Sequence, residues 1–165
     1  EETMPVVADP IRLVKQVAYL DSHPEVIRCG AQIEYFGTKS NKYVKLSFPT
    51  KDKILKEMLA FSTCFAHPTV MMRKDIIVKN KLQYDYDYKN AEDYCMWINM
   101  ISLGKFANLD EALVKYRISD AQVSQPYNLQ TIKSVMACRR KYLERYLSED
   151  EIKDLFESPI KVWIV

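Results

Sequence analysis

The chain has 165 residues, 48% of them apolar and only 3 of them glycine, so it can bury one ordinary core and is too apolar to be disordered. Its 24 lysines and arginines face 22 acids, and the resulting net charge of +2 offers no concentrated basic field for nucleic acid. Small-molecule or protein partners are favoured instead. Four cysteines, at 29, 64, 95 and 138, are too scattered for a zinc motif and too few for a disulfide scaffold, which predicts reduced core thiols in a reducing compartment. No segment approaches the roughly 18 apolar residues of a membrane span, and the opening Glu1-Glu2-Thr3 lacks the apolar stretch of a signal peptide. A start without Met and a close on the apolar residues 160–165 read as an excised piece of a longer protein.

In chain order, Pro10 followed by Ile11, Leu13, Val14, Val17, Ala18 and Leu20 predicts an amphipathic helix closed by Asp21-Ser22-His23-Pro24. Residues 26–36 read as a strand. Residues 37–49 are polar and basic without a period, an excursion from the core of the kind that faces substrates, before a helix at 51–60. Residues 65–72 have the β-branched and apolar content of a buried strand, and Arg73-Lys74-Asp75 leads into a short helix. Tyr84-Asp85-Tyr86-Asp87-Tyr88 alternates with period 2, which predicts an extended segment with tyrosines on one face. Its literal Asp-x-Asp is read as that alternation, not as a metal pair. Ala91, Tyr94, Cys95, Ile98 and Ile101 fall at helical spacing, with Gly104 placed as a C′ stop, and 112–118 is a strand. After Pro126 the pattern becomes helical through Leu147, and Ser148 caps a last helix to Phe156.

The most informative stretch is Asn90-Ala91-Glu92-Asp93-Tyr94-Cys95-Met96-Trp97, two adjacent carboxylates beside two aromatics at a helix start. With Asn90 as N-cap, Asp93 falls at N3, where it could close a capping box. The same helix dipole would keep it ionised, as a general base requires. Both readings stand on spacing alone. His67, before a proline at a strand edge, is either a satisfied structural histidine or a cleft residue. Arg73, closing the same segment, is either a surface arginine or a contact for a carboxylate or phosphate.

The succession PIRLVKQVAYLDSHPEV, FAHPTVMMRKDII, YKNAEDYCMWINMISLGKF and LVKYRISDAQVS resembles bacterial family 2 glycosyltransferases, inverting enzymes of the GT-A fold. The match runs from about Pro10 to Ser124, and AEDY-x-x-W is its most specific part. The resemblance implies an α/β fold: a partial GT-A-type mixed sheet flanked by helices, followed by a C-terminal helical segment. It divides the chain into an acceptor-side half of the transferase domain at 1–125 and a helical extension at 126–165. It also assigns roles, with Asp93 as the base and Glu92 beside it, His67 lining the acceptor side, Tyr94 and Trp97 shaping the site, and Arg73 and Arg117 binding substrate. Arg117, in the Tyr116-Arg117 pair, would neutralise a leaving diphosphate.

Two departures qualify this. Ser119 stands where the family commonly has a histidine, and serine is a poor ligand for a divalent ion. Glu1-Glu2-Thr3-Met4-Pro5-Val6-Val7 stands where the family has an acidic metal motif, so the divalent metal (Mg or Mn) that the resemblance implies would have its main site outside this chain. The expected partners are a nucleotide-sugar donor and a glycan or lipid-linked acceptor, with the isolated fragment inactive and the parent enzyme cytoplasmic, at the inner face of the membrane. Peripheral membrane contact through Arg139-Arg140-Lys141 competes with an ordinary mixed face that includes Glu144, Glu149, Asp150 and Glu151. The alternative function is a non-catalytic module binding glycan or protein on the same scaffold.

Overall fold

The computed structural model describes residues 6–37, 40–118 and 129–157. Ser119, the apolar close at 160–165 and the helical onset at Pro126 lie outside them.

Two long parallel strands, β2 (Val26–Gly37) and β5 (Lys105–Ile118), form the centre of a five-stranded mixed sheet. The short β1 (Val6–Ala8) lies antiparallel on the outer edge of β5, pairing Val6 with Tyr116 and Ala8 with Val114. On the outer edge of β2 two strands follow one another. β4 (Met71–Met72) pairs with Arg28 and Cys29, and β3 (Ser40–Leu46) pairs from Ile33 to Gly37. The polar stretch expected to leave the core is therefore largely a strand: as the return arm of a hairpin it has its backbone satisfied by β2, and a polar composition does not forbid that on an edge.

Helix α1 (Arg12–Ser22) begins after a turn in which Asp9 Oδ1 accepts the Ile11 N–H at 2.9 Å. Its apolar stripe does not face the core as the pattern predicts. Leu13, Val14 and Val17 are exposed, and the buried positions are Gln16 and Leu20. Gln16 sets this orientation: its amide donates to the Thr69 carbonyl at 2.7 Å and the Cys29 carbonyl at 3.3 Å, anchoring the helix to the sheet by hydrogen bonds.

The predicted strand at 65–72 is mostly irregular. A 3₁₀ turn at His67–Thr69, with Pro68 in its first positions, leaves only Met71–Met72 paired. The Tyr-Asp alternation likewise folds as a 3₁₀ turn at Tyr86–Tyr88, because the Asp85 carboxylate accepts the Asp87 N–H at 3.0 Å and bends the chain. Helices α2 (Asp52–Met58) and α3 (Lys74–Lys79) lie where the pattern places them.

Helix α4 (Glu92–Asn99) is the centre of the core, with Tyr94, Cys95, Met96, Trp97 and Ile98 all buried, the signature of a helix covered on every side. Phe65, Phe106, Leu55 and Leu59 pack on it, and Cys138, Tyr142, Leu143 and Ile152 from α5 (Leu129–Leu143) and α6 (Glu149–Glu157) belong to the same cluster. Gly104 does not cap α4, which ends at Asn99. It is needed because an added Cβ would fall 2.3 Å from Ile27 Cγ2. All four cysteines are buried thiols. Among the described residues no helix is long and apolar enough to cross a membrane.

Candidate active site

Asp93 occupies the second position of α4, after Ala91 as N-cap. The capping box expected from Asn90 does not form. Asn90 takes a left-handed φ of 64°, which asparagine tolerates, and its amide donates to Thr131 Oγ1 at 2.9 Å, tying the turn to α5. Asp93 Oδ1 accepts the Tyr94 N–H at 2.7 Å, and Oδ2 lies 3.9 Å from His67 Nδ1. The Asp93 side chain is 24% exposed and that of His67 52%, so the pair opens to solvent at a helix N-terminus, where the backbone favours negative charge.

His67 is held from three sides. The 3₁₀ turn started by Pro68 fixes its backbone, its ring meets Trp97 edge-on at 5.9 Å, and its Nε2 is 3.1 Å from the Tyr84 hydroxyl. Burial and then the Asp93 charge raise the Tyr84 phenol above its usual range, so this hydroxyl stays a neutral hydrogen-bonding group. Tyr84 thus joins the site, where the alternation alone predicts a tyrosine on one face of an extended strand, either simply exposed or flanking a cleft and stacking on a sugar ring. Only contact in three dimensions reveals it.

Behind this surface group lies a second feature the sequence reading missed. Arg28 is fully buried, its guanidinium carbon 3.7 Å from the Phe106 ring centroid, 4.1 Å from Phe65 and 4.2 Å from Trp97. Among the described residues its Nε and Nη1, and the Trp97 indole N–H, have no hydrogen-bond partner, and Nη2 makes a long contact with Cys64 Sγ. Burial pushes the guanidinium down to about 9, opposed by the neighbouring Cys64 sulfur and the carboxylates of Asp93 and Asp52. The available signal was a lone arginine in the otherwise apolar run Val26-Ile27-Arg28-Cys29.

The other residues singled out from sequence separate. Trp97 is buried beneath His67 and supports it. Tyr94 turns into the core, donating its hydroxyl to the Leu59 carbonyl at 2.5 Å. Arg73 spends its donors on the backbone, Nε to the Val26 carbonyl at 2.8 Å and Nη2 to the Leu20 carbonyl at 2.5 Å, closing the end of α1. Arg117 stands near the end of β5, its guanidinium 5.6 Å from the Phe36 ring. Glu92 opens α4 and is half-buried beside Asp93.

Among the described residues no three of His, Cys, Asp and Glu come together to hold a metal ion. Those present do not fit the divalent ion implied by the resemblance. A groove of about 900 Å³ between α1, α2 and the start of β5 is lined by neither Asp93 nor His67.

No family model matches the chain. It is 33% identical over 151 residues to the O-antigen biosynthesis glycosyltransferase WbnJ of Escherichia coli, covering 87% of this chain and 54% of that protein. It is 31% identical over 126 residues to the amylovoran biosynthesis glycosyltransferase AmsE of Erwinia amylovora, covering 76% and 46%. An uncharacterized glycosyltransferase of Haemophilus influenzae is 29% identical over 151 residues, covering 87% and 47%. The chain thus spans about half the length of the curated relatives it matches.

Proposed function

We propose that this chain is the acceptor-side part of an inverting glycosyltransferase of family 2 and GT-A type, moving a sugar from a nucleotide-sugar donor to a hydroxyl of a growing bacterial polysaccharide. The observation that carries the reading is the placement of Asp93: a carboxylate on the first turn of a buried helix, one oxygen tied to backbone and the other open beside His67. The names of its relatives, glycosyltransferases of O-antigen and amylovoran biosynthesis, supply the substrate class.

In this reaction the acceptor hydroxyl lies against Asp93 Oδ2. Its proton passes to that oxygen as the acceptor oxygen forms a bond to the anomeric carbon, and the bond from that carbon to the diphosphate breaks on the opposite side. The electron pair leaves with the diphosphate. One displacement inverts the sugar carbon. His67, steadied by Trp97 and Tyr84, orients the hydroxyl at the carboxylate. Arg117 would take the negative charge of the leaving group.

The test uses the protein extended to the length of its relatives, supplied with nucleotide sugars and oligosaccharide or lipid-linked acceptors, with free nucleoside diphosphate as readout. Asp93→Asn is expected to lower turnover by about 10²- to 10⁴-fold with an unchanged unfolding midpoint. Turnover at the parent level would overturn the assignment.

A further inference from the structure

Connected to His67 through Tyr84 is an open cavity of about 480 Å³, formed by residues 81–87 and Asn99, within the size range of ligand sites. Tyr86 stands on its rim with 88% of its surface exposed, and Tyr84 lines it at 37% exposure. A tyrosine carries a large apolar face whose contact with water is unfavourable, and here that face is presented on a fixed turn. The turn is rigid because Asp85 accepts the Asp87 N–H, and because Tyr88, next in the chain, packs against the core with the Lys141 ammonium 5.3 Å from its ring.

The lining chemistry selects among ligands. Two aromatic faces accept the C–H face of a pyranose, while Asp85, Asp87, Gln83 and Asn99 offer acceptors and amide donors for a ring of hydroxyls. A phosphate group would meet two carboxylates against the single Lys81. A divalent cation would find Asp85 Oδ1 already engaged by backbone and, among the described residues, no cluster of three His, Cys, Asp or Glu side chains. An uncharged polyol with an apolar face satisfies the lining. The cavity also has a direction: Tyr84 forms part of its wall and its hydroxyl holds His67, which faces Asp93.

We propose that this cavity is a glycan subsite that seats a neutral pyranose of the acceptor, one sugar behind the reacting hydroxyl, with Tyr86 and Tyr84 as stacking platforms. Its role as an acceptor subsite rests on the glycosyl-transfer reading; the sugar binding does not. Tyr84 is the joint between binding and chemistry, since seating a sugar on its ring sets the hydroxyl that positions His67.

The experiment titrates the isotope-labelled 165-residue chain with methyl glycosides of glucose, galactose and N-acetylglucosamine, following backbone amide shifts. Saturable shifts confined to residues 81–87 and Asn99 with at least one probe are expected, with about tenfold weaker binding in Tyr86→Ala. Tyr146→Ala, which removes another exposed tyrosine outside the cavity, should bind like the parent chain. No saturable shift in this segment with any probe, or shifts that survive Tyr86→Ala undiminished, would overturn the subsite. The two readings fail separately. If sugar binds here while Asp93→Asn keeps full transfer, the base assignment falls and the subsite stands; if Asp93→Asn abolishes transfer and no sugar binds, the subsite alone falls.

Discussion

The Arg28 guanidinium carbon lies 4.2 Å from the centre of the Trp97 ring, and the same indole carries His67 on its edge at 5.9 Å. A buried, incompletely bonded cation therefore sits directly behind the group proposed to orient the acceptor. Taking such a charge out of water costs several kcal/mol, while stacking on desolvated rings returns about 2 kcal/mol. The balance is unfavourable, so Arg28→Met should stabilise the fold by about 1–3 kcal/mol at neutral pH. Burial holds this guanidinium at about 9 instead of its usual 12.5, so the folded state disfavours its charged form. The penalty is then complete below pH 9, and the gain from methionine should shrink only above it. Urea unfolding of both proteins at pH 7 with equal slopes measures the difference; a lower midpoint for Arg28→Met would refute the account.

Why the sequence revealed Asp93 and not Arg28 or Tyr84 is a matter of range. Periodicity and caps report on neighbours within one turn, and they located α2, α3, the run of α4, β2 and the second half of β5, whose first half at 105–111 they left out. Part of what failed had a nonlocal cause, and part a local side-chain contact or proline that overrides the period. The apolar stripe of Leu13, Val14 and Val17 predicted the wrong face of α1 because Gln16 is fastened to Thr69, more than fifty residues away. The Tyr-Asp alternation mimicked a strand because a single side-chain bond from Asp85 overrides period 2. Tyr84 and His67 are seventeen residues apart, and no local pattern couples them.

Tyr94 follows directly from this difference between motif and placement. It belongs to the most specific motif in the chain, yet its hydroxyl serves the Leu59 carbonyl inside the core. Tyr94→Phe should leave that acceptor unpaired and cost about 1–3 kcal/mol. In the extended enzyme its acceptor and donor KM values should stay within about twofold of the parent. A rise in KM without loss of stability would return Tyr94 to the binding site.

Arg73 invites the same separation. Its donors close the carbonyls of Leu20 and Val26 where α1 meets β2. Arg73→Met should cost about 1–3 kcal/mol and speed amide exchange in the last turn of α1, with nucleotide-sugar affinity unchanged. Weaker donor binding at unchanged stability would show that the guanidinium serves substrate.

The last helix offers a pH test. Ser148 and Glu151 form a reciprocal cap: the Ser148 N–H and hydroxyl donate to Glu151 Oε2 at 2.8 and 2.7 Å, and the Glu151 N–H donates back to the Ser148 hydroxyl at 3.4 Å. The backbone bond from Ser148, then its hydroxyl bond, hold the Glu151 carboxyl below its ordinary value. A carboxyl lowered in the folded state contributes stability above its unfolded pKa and loses it as pH falls through the folded one. Helix α6 should therefore be tightest near neutrality and fray in acid, with Ile152, its buried anchor, the last residue to loosen. Ser148→Ala should cost about 1 kcal/mol at pH 7, as loss of an N-cap serine does. The cost should shrink at low pH, where the protonated Glu151 no longer holds its half of the cap. Amide exchange across α6 at both pH values reads this out; a cost equal at pH 7 and in acid would mean that the carboxylate takes no part in the cap.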